Sequence, residues 1–528
     1  MRFVAGTAEH SDTVNQFSTR QIATNVLSNW GGAVVTLVLS FVASPFIVAR
    51  LGDSAYGLWV LTASIAGYLS LLDIGVRGAI SRYIAMFSAR GEDVAASRTA
   101  TSALQIFSVM ALIAVVVSSV LAAGANDWFS IPAAYRDAAR IVLLLTGFSV
   151  GVTLISGAYA GIVVARHRID LINVVDSAIG VSRVVATILL LFSGYSIVAM
   201  ALAHFALTVV RTGWLAWLSR RLYPALRIGF SGFDREHVRL ILSFSLFSFL
   251  IHVSGRLIYY TDGLVIAAFL PVNALTFFAI GANLVDYARM LVSSVSTATS
   301  PIASTLDGSG DEARLQALLV HSAKFSMMIL MPIAITFIIR GDVFVGLWMG
   351  PSYAERSGRV LAILALPLLF HGAAHGIGGL MLGAGRHKPM IPAMLIEAGL
   401  NLVLSIVLVH KIGIEGVAWG TAIPSILSSA FFWPFYLGRA VGIPVTKYTK
   451  EVWFQPWIAS VPCAALTILV DRAWTATGLF QYFVQVGLCV VPTVAAYWWV
   501  CFSGPEREAL RDKAGRAFQR LGRAESAG

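Results

Sequence analysis

Charge is scarce in this chain. Only 12% of its 528 residues are Asp, Glu, Lys or Arg, while 57% are apolar. A soluble protein of this length carries about twice that share of charge, and a soluble core has no room for so much apolar surface. Cysteine is nearly missing too. The three present, Cys463, Cys489 and Cys501, fall in the last two apolar runs and support neither a disulfide framework nor a metal site. No phosphate-cradling glycine-rich loop is visible and no nucleotide-binding domain, so ATP-driven export is not expected. Nothing at the start reads as a cleavable leader. Residues 1–20 are polar, and the first apolar run, near Ile22, is long enough to span as an uncleaved helix.

Long apolar runs are what the chain has, at a mean hydropathy of +0.78. They fall at about 22–48, 55–76, 101–123, 141–164, 171–192, 196–218, 240–268, 273–303, 320–339, 358–383, 390–409, 413–437, 452–470 and 480–502. Each is near the ~20 residues a membrane helix needs. The pattern predicts an all-α integral membrane protein of about 14 transmembrane helices. Pro462 and Pro492 lie inside the last two runs; neighbouring helices satisfy the carbonyl a membrane proline frees. The largest outer loops, about 124–140 and 340–357, have fewer than twenty residues. That argues against a membrane glycan polymerase or ligase, which needs a catalytic loop of appreciable size, and no enzyme is expected.

The net charge of +11 has a topological reading rather than a nucleic-acid one. With the N-terminus in the cytoplasm, 26 Lys and Arg fall on the cytoplasmic side and eight on the other. This asymmetry follows the positive-inside rule and places both termini in the cytoplasm. The last residues, REALRDKAGRAFQRLGR, are read as an insertion anchor or as a segment lying on anionic lipid.

The chain also repeats itself at an offset of about 219 residues. EDVAASR at 92–98 lies over DEARLQA at 311–317, GYSIVAMA at 194–201 over GIEGVAWG at 413–420, and IVARLGDSA at 47–55 over IAAFLPVNA at 266–274. Six helices per repeat is an even number, so the two repeats run parallel, related by an axis along the membrane normal. The expected division is a segment 1–21, a six-helix bundle 22–218, a linker 219–239 and a second bundle 240–437. Two additional helices follow at 438–502, then a basic tail 503–528.

The stretch opening SFVASPFIVARLGDSAYG at residue 40 and running to 84 resembles the start of polysaccharide exporters and Wzx-type flippases. So does GLMLGAGRHKPMIPAMLIEAGLNLVLSIVLVHKIGIEGVAWGTAI at 379–423. The match covers about residues 20–440. It places the chain in the multidrug/oligosaccharidyl-lipid/polysaccharide (MOP) exporter superfamily. The resemblance implies two six-helix bundles around a central cavity that carries an undecaprenyl-diphosphate-linked oligosaccharide from the inner to the outer leaflet. It further implies a bacterial cytoplasmic membrane protein working beside a glycan polymerase and glycosyltransferases. A lipid II flippase and a cation-coupled multidrug exporter are the alternatives within the superfamily. Net basic charge at mid-membrane and two extra helices lean against the exporter.

Charges inside the spans point to the site. Arg183, Arg211, Arg256 and Arg289 lie within apolar runs, where a central Arg costs roughly 2.5–3.5 kcal/mol. Arg offers planar paired donors that match a diphosphate. Arg77, Arg183, Arg256 and Arg289 are therefore the candidate anion ligands, with Arg211 near enough to the helix end to snorkel. Tyr259 and Tyr260 follow Arg256 on nearly one helix face, placed to stack on sugar rings or to sit as interfacial aromatics. Asp73 with Arg77, Asp286 with Arg289 and Asp176 with Arg183 are spaced to neutralise each other, and Asp262 lies near Arg256. Glu397 has no basic residue within a turn, while Asn401 lies four residues on; it is the first candidate for proton or sodium coupling, with Asp176 at the equivalent repeat position. His371 and His375 share a helix face without an evident third metal ligand. No cofactor is expected.

Overall fold

The computed structural model describes residues 38–508 and 511–512, apart from 74, 230–233 and 387. The expected segment 1–21, the first part of the first span and most of the tail 503–528 lie outside the described residues. Those described are helical throughout, without a strand. In chain order the helices are α1 (Val38–Leu51), α2 (Asp53–Leu69 and Val76–Ala89, joined by a tight turn at Ser70–Asp73), α3 (Asp93–Ala123), α4 (Arg136–Ala165), α5 (Ile169–Phe192), α6 (Ile197–Leu222) and α7 (Arg235–Phe269). After these come α8 (Ala274–Gly308), α9 (Glu312–Met349), α10 (Pro351–Ala365 and Leu368–Gly383), α11 (Met390–Ile412), α12 (Ile414–Leu427 continued by Trp433–Val441), α13 (a broken helix, Val445–Ala473) and α14 (Leu479–Val500).

Ten of the described helices are long and apolar enough to cross a bilayer, or eleven if the bent α10 is one span. The lipid-facing side is plain on α3. Val109, Leu112, Val116 and Val120, spaced three and four apart, are each more than half exposed, an apolar stripe of the kind a membrane helix turns to lipid.

The helix starts follow local chemistry. Asp234 accepts hydrogen bonds from the N–H groups of Glu236 and His237 to begin α7, and Asp311 accepts from Arg314 to begin α9. At the 219-residue offset one turn recurs in the backbone. Gly91 and Gly310 both turn with positive φ (+72° and +71°), leading into α3 at Asp93 and α9 at Glu312. Only glycine takes that conformation without a steric cost.

Two expectations from hydropathy need correction. The presumed outer loop 340–357 is almost entirely helical: α9 runs to Met349 and α10 starts at Pro351. Charges at Arg340, Asp342, Glu355 and Arg356 depress local hydropathy, yet they do not prevent helix. Pro462 does not interrupt a helix either; it occupies the first turn of the Val461–Ala473 segment, where a missing N–H costs nothing. Pro492 does lie inside α14.

The chain forms two compact units, residues 1–276 and 277–528. In the first, Val163, Val175, Ile179, Leu215 and Leu218 close α4, α5 and α6 on one another. In the second, Met327, Ile377, Leu380, Trp433 and Trp453 are core residues from α9, α10, α12 and α13. Glycines let α10 pack against its neighbours at backbone distance: a Cβ on Gly376 would fall 2.0 Å from Ser326 Oγ, while Ser322 Oγ donates to the Gly376 carbonyl at 2.7 Å.

Helices α13 and α14 are tied to α9 by two buried cations, Arg340 and Lys324. Arg340, 1% exposed, sits at a kink in α9, donates to Gln485 Oε1 at 2.7 Å and pairs with Asp471 at 3.4 Å. Its guanidinium also lies over the Tyr482 ring. At the other end of α9, Lys324 Nζ donates to the Cys501 carbonyl at 2.7 Å, with Glu506 3.9 Å away.

Candidate functional site

In the first unit, α2, α4, α5, α6 and α7 surround a cavity of about 600 Å³. Each helix turns one face toward it. Trp59, Thr62, Ala66, Gly67 and Ser70 recur at helical spacing on α2, and Thr146, Ser149 and Thr153 do so on α4. Arg183 enters from α5, His204 and Thr208 from α6, and Arg256 with Tyr260 from α7. The hydroxyls of Thr62, Ser70, Thr146 and Thr153 each donate to a carbonyl of their own helix. Their oxygen lone pairs therefore remain as acceptors on the cavity wall.

Both arginines are held by neutral partners. Arg183 Nη2 donates to Thr208 Oγ1 at 2.8 Å, and its Nε is buried without a hydrogen-bond partner. Arg256 Nη1 donates to the Tyr260 hydroxyl at 3.0 Å and its guanidinium lies 5.3 Å from that ring's centre. Gly67 makes this placement of Tyr260 possible: a Cβ there would fall 2.5 Å from the tyrosine ring. His204 is fixed by Thr187 at 3.1 Å and by edge contact with Trp59.

The expected pairing of Asp176 with Arg183 is replaced by another. Asp176 pairs with Arg211 at 2.6 Å, and Arg211 also donates to Ser156 at 2.9 Å. Arg211 therefore ties α4, α5 and α6 together instead of snorkelling. Among the described residues, neither Arg183 nor Arg256 has a carboxylate within ion-pair distance. The remaining sequence candidates are distributed differently. Arg77 pairs with Asp73 at 3.4 Å on either side of the break in α2, and neither lines the cavity. Tyr259 is half exposed and lies off the cavity, as does the buried Asp262.

The second unit holds a separate polar cluster. Arg289 pairs with Asp286 at 3.1 Å on α8. Its charge acts on His371 and His375 of α10 and on Glu397 of α11. Glu397, 8% exposed, receives hydrogen bonds from Ser425 and Ser428 of α12. His371 Nδ1 lies 2.6 Å from Ser429 Oγ, and Asn401 donates to Thr421 at 2.8 Å while its buried carbonyl oxygen has no partner. A π-helical turn, Ser428–Phe432, widens α12 where these serines meet Glu397. Among the described residues no group of three or more His, Cys, Asp or Glu could hold a metal ion. Glu397 and Asn401, one turn apart on α11, are both buried beside these hydroxyls.

Sequence reasoning passed over Trp59, His204, Thr208 and the α12 serines. Their signal was present: polar residues recurring at three- and four-residue spacing within otherwise apolar helices.

Comparison with known proteins agrees with this architecture. Residues 22–307 match the family described as "Polysaccharide biosynthesis protein", and residues 245–407 match the family described as MatE. An "Uncharacterized membrane protein EpsK" of Bacillus subtilis is 22% identical over 88% of this chain and 90% of its own length. A Haloferax volcanii protein named "Probable low-salt glycan biosynthesis flippase Agl15" is 22% identical over 86% of this chain and 92% of its own. Among solved structures, the lipid II flippase MurJ in an inward closed conformation superposes with a TM-score of 0.71 at 16% identity, covering 89% of this chain and 97% of that one. An inward-facing multidrug resistance MATE family transporter of the MOP superfamily gives 0.65 at 14% identity, over 78% and 96%.

Proposed function

Because the chain belongs to the polysaccharide biosynthesis protein family of the MOP exporter superfamily, we propose that it is a flippase for an undecaprenyl-diphosphate-linked oligosaccharide, moving it from the inner to the outer leaflet of the bacterial cytoplasmic membrane by alternating access. The observation that carries this reading is the pair Arg183 and Arg256, both facing one cavity and neither neutralised by a carboxylate among the described residues. Two uncompensated cations at membrane depth are costly unless an anion joins them. A diphosphate supplies that anion and accepts several guanidinium hydrogen bonds. Trp59 and Tyr260 offer aromatic faces for sugar rings, and the wall hydroxyls offer acceptors for sugar OH groups. A cavity for organic cations would need the opposite charge.

Energy enters by two routes. A membrane potential negative inside favours outward movement of an anion by about 2.3 kcal/mol per charge per 100 mV. Glu397, with Asn401 and the α12 serines, binds a proton or sodium ion whose occupancy biases the second unit. The protein works with both termini in the cytoplasm, supplying glycan to a polymerase and receiving it from glycosyltransferases.

The test is substrate identity. Lipids co-purifying with wild-type protein and with Arg183→Ala and Arg256→Ala are analysed by mass spectrometry. A polyprenyl-diphosphate glycan enriched with wild type and lost in both variants is expected. Recovery of lipid II alone would transfer the assignment to peptidoglycan precursor export. Organic cations binding undiminished to both variants would overturn the anion reading.

A further inference from the structure

A second cavity of the first unit, about 470 Å³, lies on its flank where α5 begins and α6 ends. Its floor is aliphatic, with Leu171, Val174 and Val175 from α5 facing Leu218 from α6. Trp214 and Trp217 form one wall and are 38% and 51% exposed. Tryptophans so placed favour the boundary between acyl chains and headgroups. Two guanidinium groups stand at the rim, and they differ. Arg168 is already neutralised, held by both oxygens of Asp170 at 3.0 Å. Arg221 lies over the Trp217 ring, 5.3 Å from its centre, and among the described residues has no carboxylate partner.

We propose that this groove binds one anionic glycerophospholipid of the inner leaflet, its phosphate on Arg221 and an acyl chain along the aliphatic floor. One uncompensated cation at the end of an apolar channel matches a headgroup with one phosphate charge. A diphosphate would call for a second free cation, and Asp170 has removed it. Stacking on Trp217 holds the guanidinium plane in place, so little side-chain freedom is lost on binding. The groove shares no residue with the cavity that holds Arg183 and Arg256, so the proposal stands or falls apart from the substrate assignment.

The experiment uses the full chain in phosphatidylcholine nanodiscs with rising fractions of phosphatidylglycerol. Native mass spectrometry counts retained lipid, and thermal unfolding reports stabilisation. Wild type is expected to retain one phosphatidylglycerol and to melt higher as its fraction rises. Arg221→Gln loses that adduct, weakening binding roughly five-fold, the worth of one interfacial arginine. Arg220→Gln, altering the exposed neighbour outside the groove, leaves it intact. Brominated phosphatidylglycerol adds a readout that does not depend on stability: it quenches wild-type fluorescence more than that of Trp217→Phe. Equal stabilisation by phosphatidylcholine, equal losses in Arg220→Gln and Arg221→Gln, or displacement of the lipid by a polyprenyl diphosphate would each overturn the proposal.

Discussion

Arg183 and Arg256 owe their importance to what their neighbours are not. Thr208 and Tyr260 accept a hydrogen bond from them without cancelling their charge, while Asp176 is occupied by Arg211. Removing either guanidinium takes away a charge-assisted hydrogen bond worth about 1.5–3 kcal/mol, so Arg183→Ala and Arg256→Ala should each weaken lipid-diphosphate binding roughly ten- to hundred-fold. Lysine should restore only part of it, because an ammonium lacks the planar fork; binding titrations of the purified variants check both. Outside the membrane, Glu506 offers a titration test. Burial opposes its ionisation, but the Ser503 N–H and hydroxyl, His321 and Lys324 outweigh this and hold its carboxyl down at about 2. A carboxylate depressed from an ordinary value of 4.5 stabilises the fold above that pH, and the contribution is lost as pH falls toward 2. The melting temperature should therefore drop between about pH 4.5 and 2, and Glu506→Gln should melt lower at neutral pH with a flatter acid limb.

At the scale of elements, the attachment of α13 and α14 is the feature hydropathy hid. Arg340 looks like a loop charge in the sequence and Lys324 falls near one end of an apolar run, yet both are buried against the last two helices. Truncating Arg340 leaves Asp471, 39% exposed, to water, so the cost is mainly that of stranding the buried Gln485, about 1–3 kcal/mol. Arg340→Ala, which strands Gln485, should lower the melting temperature and raise amide exchange in α14 before α9. Arg340→Ala with Gln485→Leu should recover part of the loss; if the double variant is no better than the single, the bond to Gln485 is not the tie. The glycine of α2 yields a second forecast. A side chain at Gly67 would collide with the Tyr260 ring, so Gly67→Val should displace Tyr260 from Arg256 and impair lipid binding more than it impairs folding. A substrate titration alongside a melting curve separates the two effects.

For the molecule as a whole, an anion leaving a negative interior gains from the membrane potential. In proteoliposomes, flux of a diphosphate lipid should rise when an inside-negative potential is imposed and fall when it is reversed. Flux unaffected by either sign would leave ion coupling at Glu397 as the remaining driving force. In that case Glu397→Gln should abolish transport while leaving lipid binding to Arg183 and Arg256 intact.

Apolar runs and their spacing were enough to predict a helical multi-span membrane protein, because a span must satisfy its own backbone and be long enough for the bilayer. The recurring turn was legible for a similar reason: turns such as those at Gly91 and Gly310 are local, and positive φ selects the residue. Arg183 and Arg256 stood out as well, since a charge in an apolar run is conspicuous wherever its side chain points. Partnership was not legible. Asp176 has Arg183 two turns along its own helix and Arg211 on the next, and only the packing of α5 on α6 chose between them. Tyr259 and Tyr260 are adjacent in the chain, but a helix sends neighbours about 100° apart, and tertiary contact set one in the cavity and left the other half exposed. Short-range pattern determined what the chain could embed, and packing across distant helices decided which charges were cancelled and which were left for a ligand.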